Sequence, residues 1–178
     1  MKENGKEKKI KLLEALIREL QESEEIQDMS LFTEEELDAP VDVARAMIVE
    51  MGTELVDVLG EFFFLPLENE EVLYFVSSIT VMEEIPLDKQ MDLAIAVARL
   101  NSLIPCGAFA MGNGGENLIY RYTVPVSAEL DEEVKMTMLL TAVDTAIQEV
   151  DRFIAFLMLV AAGELSVDDM MSLLSKEG

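Results

Sequence analysis

Histidine and tryptophan are missing from all 178 residues, cysteine occurs once, at Cys106, and only 13 lysines and arginines stand against 36 acidic side chains. Each shortage excludes something. Without histidine there is no Ser-His-Asp triad, no Cys-His dyad and no histidine-based zinc site within this chain, and the usual general base near neutral pH is gone. One cysteine cannot form an intramolecular disulfide and suits a reducing cytoplasm. A net charge of −23 opposes nucleic acid and anionic membrane as partners, because both are met with Lys and Arg. The longest apolar run, Phe153 to Ala162, is ten residues, about half of what a membrane span requires. No secretion signal is expected either, since the lysines at 2, 6, 8, 9 and 11 lead into a charged amphipathic stretch.

What is present is a large apolar fraction, 51%, enough for a full core and unlike a disordered acidic chain. Charge is unevenly placed. Residues 1–18 hold six basic and three acidic side chains, and the remaining 160 hold seven and 33. The expected organisation is an N-terminal helical arm and acidic linker over 1–37, followed by one α+β domain over 38–178. Ile10, Leu13, Leu16, Ile17 and Leu20 predict an amphipathic helix over 6–20, whose stripe must be covered by the domain or by a partner. Residues 21–37 read as linker, with Thr33 and Glu36 at capping-box spacing. A helix is expected over 39–51, with Asp38 as N-cap, Gly52 as terminator, and Val43, Met47, Ile48 and Met51 inside.

The period then changes. Leu55–Leu67 and Val72–Met82 are β-favouring runs that predict a hairpin or meander, with Gly60 marking either a turn or a bulge. Leu87–Ile104 reads as a helix with Met91, Ala94, Ile95 and Ala98 on its inner face. Gly112-Asn113-Gly114-Gly115 joins two strands as a hairpin; a phosphate loop would lead into a helix instead. Residues 131–162 form the longest helix, ended by Gly163, and Ser166 and Asp169 start a short last one. From Phe153 onward the long helix is apolar nearly all round, which points to a homodimer interface at Phe153, Phe156, Leu157 and Val160. The overall expectation is an antiparallel sheet of about five strands packed against helices.

Asn101, Pro105, Gly107 and Phe109, followed by Arg121, Tyr122 and Pro125 and then Asp151 and Phe153, stand in an order that resembles the YbjN family, over about residues 41–162. The resemblance implies the type III secretion chaperone-like fold, element order α-β-β-β-α-β-β-α, here with an added N-terminal helix and a short C-terminal helix. It implies small, acidic, dimer-forming regulators and supplies no catalytic residues.

The remaining chemistry-bearing residues have plain readings. Cys106 has no histidine to activate it and reads as a structural thiol. The acid clusters at 34–36, 68–71 and 131–133 lack EF-hand order and read as helix starts and solvated turns. Arg121 is expected to pair with a carboxylate on an exposed sheet face. Twelve methionines suit an irregular core or an adaptable apolar surface. The expected function is a non-catalytic, protein-binding domain, chaperone-like or adaptor, acting as a homodimer with an unidentified and basic protein partner, without cofactor or metal. A carboxylate-based divalent-metal protein or enzyme, and a structural subunit of a larger assembly, are the alternatives.

Overall fold

The computed structural model describes residues 5–67 and 71–177. The elements in chain order are α1 (Gly5–Leu20), β1 (Ile26–Phe32), α2 (Glu34–Leu37), β2 (Val43–Met51), β3 (Val56–Phe64), β4 (Val72–Met82), α3 (Gln90–Leu100), β5 (Ala108–Gly112), β6 (Asn117–Ser127), α4 (Glu132–Ala162) and α5 (Val167–Glu177). The six strands form one open antiparallel sheet in the order β1-β2-β3-β4-β6-β5. The class is α+β, with six strands where about five were expected.

Helix α1 buries Leu12, Leu13, Leu16 and Leu20 in the same core as the sheet. Its stripe is therefore covered by the chain's own strands and by α4. Residues 21–37, expected as linker, instead contain β1. This strand buries Ile26 and Met29, and its ladder is interrupted between Gln27 and Ser30, where Asp28 takes φ 51°. That break hides the period-two signal from the sequence, and an irregular, charged edge resists pairing with other chains. The capping box is present. Glu36 N–H donates to Thr33 Oγ1 at 3.3 Å and Thr33 N–H to Glu36 Oε2 at 2.8 Å. The bond from the Thr33 backbone, then that from its side chain, holds the Glu36 carboxyl below its ordinary 4.5.

The expected helix over 39–51 is a strand. Ala44, Ala46 and Ile48 are buried at every second position (0%, 2% and 0% exposed). Alanine and methionine favour helices, but here the sheet decides, because the same residues fit a pleated surface under helices. Gly52 adopts a left-handed φ of 65° in the β2–β3 turn rather than at a helix end. A side chain there would strike Ile154, the nearest atom being 2.6 Å from an added Cβ. The Gly52 N–H donates to Asp151 Oδ1 at 2.7 Å, pinning the turn to α4. Gly60 marks neither turn nor bulge. It pairs in register with Ala46 and Ile79, and its missing Cβ makes room for Ile48 and Phe62.

Helix α3 turns a different face inward from the one expected. Leu93, Ala96, Val97 and Leu100 are buried, while Met91 is 71% and Ile95 42% exposed. The helix has two apolar stripes, and the inner one continues into Ile104. Helix α4 runs 31 residues and ends at Gly163, which takes the left-handed conformation. Helix α5 is capped as expected, Asp169 N–H donating to Ser166 Oγ at 3.1 Å. Helix α4 touches both α1 and α3, and the three cover one face of the sheet; α5 packs on α3 and α4. Among the described residues no helix is long and apolar enough to cross a membrane.

Candidate functional site

Side chains alternate across a strand, so the ladder registers sort every sheet residue onto the helix-covered face or the opposite one. The opposite face consists of three long rows. The first is Phe32, Val43, Phe63, Val76 and Thr123; the second is Ser30, Arg45, Glu61, Ser78, Arg121 and Ala108; the third is Gln27, Met47, Leu59, Thr80, Ile119 and Ala110. Tyr74 and Pro125 add a pair beyond the first row. Among the described residues no helix packs on these positions. Val43 and Val76 are only 6% and 1% exposed, yet neither belongs to the helix-covered core. Val76 is flanked across the ladder by Phe63 and Thr123.

The three rows hold one carboxylate, Glu61. Arg45 Nε donates to it at 2.8 Å, and the same guanidinium lies 5.3 Å from the Phe32 ring centre. Arg121, expected to be paired, makes no ion pair among the described residues, because its cross-strand neighbours are Ser78 and Ala108. In a chain of charge −23, these three rows carry a net charge of +1; the outer two are largely apolar and the middle one is polar, and Asp57, on the same side of β3 two residues before Leu59, adds an exposed acid at their end.

The interface residues expected on α4 lie elsewhere. Phe153, Leu157 and Val160 are 1%, 0% and 2% exposed, packed against the chain's own sheet and helices, and Phe156 is half-buried against that core. Most of the apolar girth of this segment is used within one chain, though Leu159 remains 37% exposed. A second apolar stripe does remain open, on α3 and the segment leading into it: Leu87 (84% exposed), Met91 and Ile95, with the exposed acids Glu83, Glu84, Asp88 and Asp92 around them.

A cavity of about 780 Å³ opens at the end of the sheet where α1 and α4 begin. Five lysines, Lys6, Lys8, Lys9, Lys11 and Lys135, line it with three acids, Glu34, Asp42 and Glu132, over a floor that includes Leu12, Leu13, Phe64 and Leu73. Lys6 pairs with Glu34 at 2.5 Å, and that hydrogen bond raises its ammonium above the ordinary 10.5. Lys9 donates to the Leu65 carbonyl at 3.2 Å. Lys135 is 7% exposed and reaches Glu132 at 2.9 Å. The sequence shows four of these lysines as a basic cluster; Lys135 joins them only through the fold.

The remaining sequence-marked residues act as locks. Asn101 donates from Nδ2 to the Phe109 carbonyl and accepts from the Phe109 N–H, both at 2.9 Å, clipping the end of α3 to β5. Phe109 meets Tyr120 at 5.0 Å and Phe153 at 6.4 Å, both edge-on. Gly107 has φ 70°, and any side chain there would collide with Tyr120, whose hydroxyl donates to the Cys106 carbonyl. Burial, followed by the nearby Glu149 charge, drives the Tyr120 hydroxyl far above its ordinary 10.0. Burial and then a hydrogen bond with Cys106 raise that of Tyr122. Gly112–Gly115 leads through a single 3₁₀ turn, Asn113–Gly115, into β6. The acids at 34–36 open α2 and those at 131–133 open α4; residues 68–70 lie outside the described residues. Among the described residues, no group of three or more His, Cys, Asp or Glu is placed to hold a metal ion.

In comparison with known proteins, the chain matches no family model and no curated protein.

Proposed function

We propose that the chain is a non-catalytic protein-binding domain of the chaperone-like or adaptor kind, and that it works as a homodimer through the uncovered face of its sheet. The observation that carries this reading is the composition of that face: two largely apolar rows either side of a polar one, the three holding a single, already neutralised carboxylate on a chain of charge −23. Two copies meeting through an acidic part of the surface would oppose acid to acid, and like-charge contacts cost several kcal/mol. Six strands about 4.8 Å apart and three rows about 6.8 Å apart give a footprint of roughly 500–600 Å² before side-chain relief. That approaches the ~800 Å² per partner of a stable interface. Such a contact is isologous, each copy offering the same rows.

The resemblance to YbjN proteins, and with it the type III secretion chaperone-like fold, supports the same reading. With β1 and α2 set aside, the order α1-β2-β3-β4-α3-β5-β6-α4 follows the expected α-β-β-β-α-β-β-α, α1, which lies outside the resemblance, standing where a helix was expected over 39–51. The α3 stripe of Leu87, Met91 and Ile95 stays free in this dimer, and its acidic surround suits a basic amphipathic client segment in the cytoplasm.

The test is light scattering and sedimentation of the wild type and of the double variant Met47→Glu, Phe63→Glu. A dimer at micromolar concentration that becomes a folded monomer, with at least a 100-fold weaker association, is the expected result. A wild-type monomer at 100 μM, or a variant that stays dimeric, rejects the interface.

A further inference from the structure

The middle row of the open sheet face carries its charges in a definite order. Across the strands β1-β2-β3-β4-β6-β5 it reads Ser30, Arg45, Glu61, Ser78, Arg121 and Ala108. From β2 to β6 that is plus, minus, neutral, plus. Arg45 holds Glu61 within the chain at 2.8 Å, through the single oxygen Oε1. Arg121 is exposed, and its cross-strand neighbours are Ser78 and Ala108. Water solvates that guanidinium in a monomer. Once a second copy covers the face, Arg121 requires a carboxylate, because a buried and unpaired charge is strongly destabilising.

Two sheets packed face to face keep their strands within about 30° of each other, so a two-fold axis between them runs either across the strands or along them. An axis across the strands lays every strand on its own copy. Arg45, Glu61 and Arg121 then meet like charges or lie against the apolar outer rows. An axis along the strands reverses the strand order instead, and its position decides which charges meet. On β3 it sets Glu61 on Glu61, between β3 and β4 it sets Arg45 on Arg121, and on β6 it sets Arg121 on Arg121. On β4 it sets Glu61 against the partner's Arg121, and Arg121 against the partner's Glu61. The other positions leave Arg121 without an acid. Bulk follows the same axis. Phe63 on β3 and Met47 on β2 come to lie over the partner's Thr123 and the partner's Ala110, large side chains over small ones. Strand β4 contributes only Val76, Ser78 and Thr80 along the axis itself. The contact runs from β2 to β5, and β1, with its interrupted ladder, stays outside it.

We propose that the homodimer put forward above, on which this inference rests, is built around a two-fold axis along β4, with Arg121 of each copy paired to Glu61 of the other. Glu61 holds both arginines, Arg45 of its own chain and the partner's Arg121, since an ionised carboxylate has about four acceptor sites. The order of charges thus sets the register of the dimer, and each copy presents both members of the pair, as an isologous contact demands.

The test is a charge exchange, read by sedimentation and native mass spectrometry of the full chain. Arg121→Glu opposes an acid to the partner's Glu61, and Glu61→Arg opposes an arginine to the partner's Arg121. Each variant alone should associate at least about 100-fold more weakly than the wild type, because like charges then face each other at the contact. Mixed in equal amounts, the two variants should form a heterodimer, since both contacts again join an acid to an arginine. Both positions reach solvent, and circular dichroism checks that each variant folds. Should Glu61→Arg disturb folding through Arg45, the milder Arg121→Gln and Glu61→Gln, alone and combined, carry the test. Their combined loss of affinity should be smaller than the product of the single losses. A dimeric wild type whose variants keep its affinity, or whose exchanged variants do not pair when mixed, overturns the axis on β4 and leaves the homodimer standing. A monomeric wild type ends the homodimer and this inference with it.

Discussion

Phe62 and Phe63 are neighbours in one strand and live in different worlds. Phe62 is 0% exposed in the core under α1 and α4; Phe63 is half-buried on a face that no helix covers. The same contrast runs across the whole sheet. One face has Ala44, Ile48, Phe75 and Tyr120 beneath three helices, while the other offers Phe32, Met47, Leu59 and Ile119 to whatever meets it. The lesson is that apolar content alone does not locate an interface. The end of α4 holds the longest apolar run in the chain, and most of it is buried internally. The open face is less hydrophobic and is set apart by its shortage of acid.

Mutations sharpen this contrast. The largest effect is expected for Leu157→Asp, which places an unpaired charge at a fully buried position and should abolish cooperative folding, a loss above about 4 kcal/mol, read by circular dichroism. Next comes the adjacent pair. In urea unfolding at a dilution that keeps the chain monomeric, Phe62→Ala should cost about 3–5 kcal/mol. Phe63→Ala should cost less than about 1.5 kcal/mol, because only part of its side chain leaves water. Equal losses would mean that the two faces are equally buried and would remove the basis for an interface. The smallest effect is that of Arg45→Ala. Its ion pair with Glu61 joins side chains 36% and 27% exposed, so the monomer should lose about 0.5 kcal/mol or less after screening, decreasing further at high salt.

Much of this was readable in the residues, for physical reasons. The β5–β6 hairpin follows from Asn113-Gly114-Gly115, all three with positive φ. The ends of α4 and α5 follow from Gly163 and Ser166. Strands β3 and β4 follow from their β-branched and aromatic runs. Strand β2 was hidden because Ala44, Ala46 and Met47 are good helix formers, placed between an Asp-Pro start and a glycine stop. Strand β1 was hidden by its bulge and its polar Gln27, Asp28 and Ser30. The α3 face was ambiguous because Met91-Ile95 and Leu93-Val97-Leu100 both keep helical spacing. Alternation reveals which strand residues share a face, but not which face the helices take. That choice is made by α1 and α4, which flank the sheet in sequence. The lysine cavity was half visible in the same way, its fifth lysine lying 124 positions after Lys11.

The order of the elements also has a consequence for how the molecule is made. The sheet is complete at Ser127, but α4, its longest cover, ends 35 residues later at Ala162. At ribosomal rates of about 5–20 residues per second, the nascent sheet waits roughly 2–7 s with neither face fully closed. During that interval the molecule is a sticky two-sided ribbon, and its acidic charge is what keeps neighbouring nascent chains apart until the helix arrives.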